Sequence, residues 1–294
     1  LDDDRDGRLD LVVVGEWMPV RVFRQRDGRF VERTTEAGLA GTEGWWNSVT
    51  VADLNGDGHP DLVLGNLGRN ADLHASPAEP TRLYVHDFGN TGTLKQVLTT
   101  YRHGVGYPIP GRDDLAKLIP SLRSRYPSYA AFGASRVEDI FQGAELRRAT
   151  VLRANTFTSA VALGDGAGGF TLQPLPVEAQ LAPVYASLAD DYDGDGRVDL
   201  LLAGNFLGVP PVLGRYDASY GVLLRGDGAG GFTAVDMARS GLTITGQVRD
   251  LKRLRGAAGE RLVAVARTDD ALLVLRVEDA HRAARVAVAA PTRP

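Results

Sequence analysis

Three repeated features of the sequence predict an all-β fold, a β-propeller built of four-stranded blades. An acidic loop recurs, an apolar strand that ends in glycine follows each copy of it, and a glycine-rich turn recurs further along the chain. Each unit then holds four strands at a spacing of about 50 residues, which is typical of propeller blades. We count about five blades, over residues 1–44, 45–84, 85–183, 184–243 and 244–289.

The clearest acidic loop runs from Asp191 to Asp199, with carboxylates at its positions 1, 3, 5 and 9 and Gly196 at position 6. Crowded carboxylates repel one another unless a cation lies among them, and the glycine allows the tight turn that gathers them. Ligands that are all oxygen select a hard cation, usually Ca²⁺. The loop resembles the first half of an EF-hand loop, but an apolar strand follows it, so we expect it to join two strands. An acidic turn without an ion is the alternative.

Two more copies of this loop bring the predicted Ca²⁺ sites to about three. In each copy the residue at position 7 is expected to offer its backbone carbonyl. A weaker copy begins at Asp87, and there we predict that the Lys95 ammonium takes the place of the ion. The predicted ligands are Asp2, Asp4, Asp6, Arg8 and Asp10 in the first loop, Asp53, Asn55, Asp57, His59 and Asp61 in the second, and Asp191, Asp193, Asp195, Arg197 and Asp199 in the third.

The glycine-rich turns are predicted to be β-hairpin turns. Residues 164–170 and 226–232 share the heptapeptide GDGAGGF, and residues 26–30 carry a shorter version. The heptapeptide matches the G-x-G-x-x-G pattern of dinucleotide-binding folds, but strand-forming residues follow it where those folds need a helix. We therefore predict no nucleotide site.

Residues 111–149 interrupt the strand pattern, and their apolar spacing predicts two or three short helices inserted in the third blade. Two roles are open for this insertion: a lid over the propeller, or a brace that only packs against it. We expect blades over residues 1–290 and a frayed tail over residues 291–294. Because the chain starts at Leu1, directly before an acidic loop, we expect it to be part of a propeller of about seven blades. Upstream blades or a partner chain would complete it.

Composition excludes several function classes. The 294 residues carry a formal net charge of −4, so we expect no nucleic-acid partner. Cysteine is absent, which excludes disulfides and thiol chemistry. No apolar run approaches the roughly 20 residues that span a bilayer, so we expect no membrane span. Neither H-E-x-x-H nor G-x-S-x-G occurs, and we assign no catalytic residues.

Aromatic and polar residues gather away from the acidic loops, at the opposite ends of the predicted strands. Aromatic rings beside Asn, Asp and Arg suit a glycan or a protein ligand. Packing between blades is the alternative role for the same residues. The candidate ligand-binding residues are Trp17, Trp45, Trp46, Asn66, Arg69, Asn70, Asn205, Arg215, Tyr216 and Asp217.

Further motifs carry a family resemblance: GEWMP at residues 15–19, GWWN at 44–47, GNLGRN at 65–70 and RYDASYG at 215–221. With the acidic loops, these motifs resemble the FG-GAP/VCBS repeat propellers, which are also found in the heads of integrin α subunits. The chain is more closely similar to the C-terminal part of bacterial proteins akin to cartilage acidic protein, which often carry an ASPIC/UnbV segment. The resemblance implies an extracellular, cell-surface or periplasmic propeller with Ca²⁺ in its outer hairpins and no assigned catalytic residues.

We therefore expect an extracellular calcium-binding propeller that acts as a binding, adhesion or scaffold module, with Ca²⁺ in a structural role. One alternative is a polysaccharide lyase or hydrolase that uses the aromatic and polar face. It would need an acid–base pair free of Ca²⁺, for which Glu16 and Asp217 are the candidates. A structural subunit of a cell-surface assembly is the other alternative.

Overall fold

Antiparallel β-sheets make up most of the computed structural model, and the all-β prediction is confirmed. The structure describes residues 1–141, 143–210, 213–278 and the strand at 286–288. They divide into two compact units. Unit 1 contains Leu1–Ala40, Trp45–Asp72 and the residues from Phe157 onward, and unit 2 contains Gly41–Gly44 and Leu73–Thr156.

Four antiparallel sheets lie in unit 1, and they have the three or four strands of propeller blades. The strands are numbered along the chain. Sheet 1 contains β1 (Leu11–Val13), β3 (Arg21–Arg26) and β4 (Arg29–Glu32), and β2 (Glu16–Met18) and β5 (Gly44–Trp45) form a separate two-stranded sheet. Sheet 2 contains β6 (Ser48–Ala52), β7 (Asp61–Gly65), β12 (Ala160–Gly164) and β13 (Phe170–Pro174). Sheet 3 contains β14 (Val184–Asp190), β15 (Asp199–Gly204), β16 (Val222–Gly226) and β17 (Phe232–Ala234). Sheet 4 contains β18 (Val248–Arg255), β19 (Arg261–Arg267), β20 (Leu273–Val277) and β21 (Val286–Val288).

The strands that follow the second and third acidic loops are the most buried parts of unit 1. Every residue of β7 and of β15 is buried, from Asp61 and Asp199 at their first positions to the glycines at their last. After this first acid, each strand is a continuous apolar run, because it has a hydrogen-bonded neighbour on either side and is covered on both faces. The last acid of each loop therefore stands at the edge of the hydrophobic core.

The glycine-rich turns are hairpin turns, as predicted. Gly164 is opposite Phe170 where β12 pairs with β13, and Gly226 is opposite Phe232 where β16 pairs with β17. The shorter turn joins β3 to β4 in the same way. In both heptapeptides the residue after the last glycine begins a strand, so the helix required of a dinucleotide-binding turn is not formed there.

The predicted blade boundaries at residues 84 and 183 do not match the strands of sheet 2. In this sheet β6 pairs with β7, β7 with β12, and β12 with β13. The chain between residues 73 and 156 forms unit 2 before β12 and β13 complete the sheet. The sequence could not show this arrangement because Asp87 opens a loop that imitates the start of a blade. That loop instead joins two strands of unit 2.

Unit 2 contains one four-stranded sheet and the predicted helices. The sheet contains β8 (Thr81–His86), β9 (Lys95–Arg102), β10 (Val105–Pro108) and β11 (Thr150–Ala154), in the order β10-β9-β8-β11. Five short helices, rather than two or three, separate β10 from β11, and their apolar faces pack on Tyr84, Phe88 and Val97. They are α1 (Arg112–Leu118), α2 (Leu122–Arg125), α3 (Tyr129–Gly133), α4 (Val137–Ile140) and α5 (Gly143–Arg148), and unit 1 adds α6 (Met237–Ser240) and a 3-10 turn at Val177–Gln180.

None of the helices in the described residues has the length and apolar character required to cross a membrane. The predicted tail at residues 291–294 lies outside the described part of the chain.

Candidate metal centres

The first acid of each predicted calcium loop is held by two backbone N–H groups of its own loop. In the third loop, Gly194 donates to one carboxylate oxygen of Asp191 at 2.6 Å and Gly196 donates to the other at 2.9 Å. Asp53 accepts from two loop glycines in the same manner, and Asp2 accepts from Asp6 and Gly7. These bonds turn the loop around its first carboxylate, so the backbone curls toward the side chains of positions 3 and 5.

The acids at positions 3 and 5 form local turns, in which one oxygen of each accepts a backbone N–H of the loop. Asp193 accepts the N–H of Asp195 at 3.1 Å, and Asp195 accepts the N–H of Arg197 at 2.9 Å. Such bonds from a side chain to the N–H two residues on are typical of Asp and Asn in tight turns. The equivalent bonds recur in the first loop at Asp4 and Asp6 and in the second at Asn55 and Asp57.

The acid at position 9 has a second role that the sequence did not predict. One oxygen of Asp199 accepts the N–H of Tyr192 at 2.9 Å, and the other accepts the N–H of Gly226 on β16 at 2.9 Å. Asp199 thus joins its loop to the third strand of the sheet. Asp10 and Asp61 make the same pair of bonds in the other two loops. We call this pair of bonds the position-9 bridge.

The donor atoms fit a divalent cation in two of the three loops. Carboxylate oxygens of Asp191, Asp193 and Asp199 lie within 4.8 Å of one another, as do those of Asp2, Asp4 and Asp6. In the second loop the amide of Asn55 replaces one acid, and its nitrogen donates to Asp57 at 2.9 Å. All these donors are hard oxygens, so the set suits Ca²⁺.

The electrostatics of the third loop also favour a cation. Burial raises the pKa of Asp199, and the charges of Asp193 and Asp195 add to this rise, while the hydrogen bonds from backbone N–H groups oppose it. A divalent cation among these oxygens would stabilise all three carboxylates in their ionised form. The ring of His59, a residue of the second loop, lies against Gly166 of the glycine-rich turn between β12 and β13.

Arginines that the sequence analysis did not single out contact the loop acids. Arg225 lies 2.8 Å from Asp193 and 2.8 Å from Asp195. Arg24 lies 3.2 Å from Asp3 and 3.1 Å from Asp4 in the first loop. Burial, together with the hydrogen bond and charge of Asp10, raises the pKa of Asp3 to about 6. The sequence signal for these contacts is that a basic residue stands shortly before two of the glycine-rich turns, Arg24 before residues 26–30 and Arg225 before residues 226–232.

The weak loop at Asp87 is organised around an ammonium group, as predicted. Lys95 Nζ lies 3.2 Å from Asp87 Oδ1 and 3.2 Å from the Thr93 carbonyl, and it also contacts the Thr91 hydroxyl. The Lys95 side chain is only 6% exposed. Backbone N–H groups of Thr91 and Gly92 donate to the two Asp87 oxygens, so the loop keeps the turn of the other copies without their acids.

Burial changes the interpretation of the predicted ligand-binding residues. Trp46, Asn66, Asn205 and Tyr216 are each at most 5% exposed. The side chain of Asn205 bonds the backbone of Ser219 and Gly246, and that of Asn66 accepts the N–H groups of Trp45 and Leu67. The two asparagines therefore hold loops together, Trp46 packs in a hydrophobic cluster, and none of the four offers much surface to a ligand.

The remaining candidates do not form one cluster. The rings of Trp17 and Trp45 lie 5.1 Å apart, and Phe157, which the sequence did not single out, lies 5.1 Å from Trp45. Arg215 and Asp217 form an ion pair of 2.7 Å. The backbone of Arg69 and the side chain of Asn70 bond the carbonyls of Gln180 and Leu181.

Comparison with known families supports the repeat assignment. The model of the FG-GAP-like repeat matches residues 2–64, and the model of the FG-GAP repeat matches residues 45–86. No curated protein matches the chain. The first two acidic loops lie within these matches, and the narrower resemblance to the ASPIC/UnbV-associated proteins stays a prediction. The chain thus carries FG-GAP repeats in its first 86 residues and has the all-β fold of a β-propeller.

Proposed function

We propose that this chain is a calcium-stabilised extracellular propeller that acts as a binding or scaffold module. The observation that carries the proposal is a loop geometry that occurs three times. The loop precedes β1 in sheet 1, β7 in sheet 2 and β15 in sheet 3. In each loop, backbone N–H groups hold the side chains at positions 1, 3 and 5 in a turn, and the ninth residue bonds that turn to the sheet.

A structural role for Ca²⁺ follows from the chemistry of the ligands. Every expected ligand is an oxygen of the chain itself, fixed by a backbone hydrogen bond or located on a short turn. Sites of this type in extracellular modules bind Ca²⁺ with dissociation constants of about 10⁻⁴ to 10⁻³ M. Such affinities suit a compartment with millimolar calcium, which supports a location outside the cytosol.

Thermal unfolding with and without calcium tests this role. A site with a dissociation constant of about 10⁻⁴ M gains about 1.4 kcal/mol of stability in about 1 mM Ca²⁺. We therefore expect Ca²⁺ to raise the Tm of the wild type above its value in EGTA. Asp193→Ala should lose part of this increase, whereas the matched variant Asp87→Ala should keep all of it. A Tm that Ca²⁺ leaves unchanged, or an equal loss in both variants, would contradict the proposal.

The edge-to-face pair of Trp17 and Trp45 supports a glycan or protein ligand. Both rings are partly exposed, and their contact forms an apolar surface of the kind that binds sugars or aromatic side chains. An enzyme that uses the same face finds less support, because Asp217 is engaged by Arg215 and is not free to act as a base.

Binding to a glycan array tests the ligand. We expect Trp17→Ala to reduce the signal strongly and Tyr220→Ala, which removes an exposed aromatic ring outside this pair, to leave it unchanged. Both variants should keep the Ca²⁺-dependent increase in Tm, which shows that they are folded. Binding that survives Trp17→Ala would exclude the Trp17–Trp45 pair as the site.

A further inference from the structure

The position-9 bridge defines an equivalent residue in each of the three sheets. Its second N–H comes from the strand that pairs with the strand after the loop, and the residue just before that N–H holds the equivalent position in each sheet. The donors are Gln25, Gly164 and Gly226. The residues that precede them are Arg24 in sheet 1, Leu163 in sheet 2 and Arg225 in sheet 3.

Arg225 binds two of the acids that are expected to hold the ion. Its Nε lies 2.8 Å from Asp193 Oδ2, and its Nη2 donates to Asp195 Oδ2 at 2.8 Å. The planar guanidinium therefore bridges positions 3 and 5 of the loop with two charge-assisted bonds. The hydrogen bond from Arg225 lowers the pKa of Asp195, and the N–H of Arg197 adds to this effect.

We propose that Arg225 is a resident counter-ion of the third loop, which a divalent cation must displace before it can bind all the acids. The inference rests on the proposed calcium function. The guanidinium already contacts one oxygen each of Asp193 and Asp195, and a cation would compete for these carboxylates because their lone pairs are limited in number. Calcium affinity at this loop is therefore set by the acids and by the ease with which Arg225 leaves.

The surroundings of Arg225 allow it to leave. Its side chain is 52% exposed, and a cavity of about 580 Å³ adjoins the loop, lined by Asp195, Arg225, Thr233 and Arg239. Displacement thus moves the guanidinium into open space without disturbing the hydrophobic core. Once displaced, Arg225 would face the same cavity as Arg239.

The equivalent residues show that this arrangement varies between the loops. Arg24 also contacts loop acids, but its side chain is only 7% exposed and is held by Asp3. Asp3 occupies the loop position where the other two loops have Leu54 and Tyr192 in the core. Leu163 brings no charge to the second loop.

Terbium luminescence can report on the third loop alone because Tyr192 lies within it. Tb³⁺ replaces Ca²⁺ at oxygen sites and emits strongly when a nearby aromatic ring transfers energy to it. The part of the luminescence that disappears in Tyr192→Phe is assigned to the third loop. CaCl₂ is then titrated to displace Tb³⁺ from that loop. We expect Arg225→Leu to lower the half-displacing Ca²⁺ concentration about three- to tenfold, the discounted value of two exposed charge-assisted bonds.

Arg239→Leu is the matched control. It removes the same charge from the same cavity, but Arg239 is not among the side chains that pair with the loop acids in the described residues. We expect it to change the half-displacing concentration less than about twofold, since exposed charges without contact are well screened. Arg225→Gln, a second variant that keeps a polar end, should reproduce the gain of Arg225→Leu.

The outcomes separate this inference from the calcium function. A tighter site in both Arg225 variants and an unchanged one in Arg239→Leu would support the inference. Wild-type binding that the Arg225 variants leave unchanged or weaken would overturn the inference alone, as would an equal gain in Arg239→Leu. If neither the wild type nor the Arg225 variants bind Tb³⁺ or Ca²⁺, the calcium function falls and the inference with it.

Discussion

Asp199→Ala separates the two roles that the structure gives to the ninth residue of the loop. Asp199 is 2% exposed and accepts the N–H groups of Tyr192 and Gly226, each at 2.9 Å. These bonds exist without any ion. The substitution should therefore destabilise the protein even when calcium is removed, whereas a residue that serves only as a ligand should matter little under those conditions.

The magnitude follows from the two donors that Asp199→Ala leaves without a partner. An unsatisfied buried N–H costs about 1–3 kcal/mol, so two of them cost about 2–6 kcal/mol. Part of this cost is offset because burial and the charges of Asp193 and Asp195 disfavour the ionised form of Asp199. We expect a net loss of about 2–4 kcal/mol in the free energy of unfolding.

Urea unfolding in EGTA measures this loss. Asp193→Ala is the control, since Asp193 accepts one local N–H and its contact with β16 is an ion pair with the half-exposed Arg225. Its loss in EGTA should stay below about 1 kcal/mol. Asp61→Ala makes the same change in the second loop and should match Asp199→Ala. A loss below about 1 kcal/mol for Asp199→Ala, or an equal loss for Asp193→Ala, would refute the role of the position-9 bridge.

Three further changes test other parts of the structure. Lys95→Met should lower the Tm in EGTA by several degrees, because it removes the buried ammonium that neutralises its loop, and Ca²⁺ should not restore it; full restoration would show that this loop can bind the ion. Gly204→Ala places a methyl group 1.7 Å from a backbone carbonyl oxygen and should cost about 2 kcal/mol or more in urea unfolding, while Gly111→Ala, with nothing within 4 Å, should be neutral. Asp227→Ala should lower the Tm at pH 7 but not in strong acid, because N–H groups of its turn lower the pKa of Asp227 below 3.8, and the stability from these bonds is lost as the pH falls through that lowered pKa. A Tm difference between Asp227→Ala and the wild type that persists in strong acid would contradict this assignment.

Local features of this protein were predictable because neighbouring residues determine them. The acids at positions 1, 3 and 5 bond N–H groups within their own loop, so their spacing alone predicts the turn. The same holds for the glycine-rich hairpins and for Lys95, which lies eight residues after the acid that it neutralises. In each case the partner is close in the chain, and the periodic pattern of the sequence contains the information.

Features that depend on distant partners were not predictable from one sequence. Arg225 lies 30 residues beyond Asp195, and nothing in the intervening sequence shows that β16 returns to the loop. Burial likewise removed Trp46 and Asn66 from the predicted ligand face, because the same residue types serve in cores and in binding sites. The makeup of sheet 2 was missed for the same reason.

The composition of sheet 2 has a consequence for how the chain acquires its structure during synthesis. The backbone N–H of Asn66, just after β7, donates to the hydroxyl of Ser159, 93 positions further along, and β7 pairs with β12, so this sheet cannot be completed until β12 has left the ribosome. Contacts of such high sequence separation form slowly because a long loop must close first. Until then β7, which is apolar after Asp61, has one unpaired edge, and nascent chains that stop before residue 160 should be the ones most prone to aggregate.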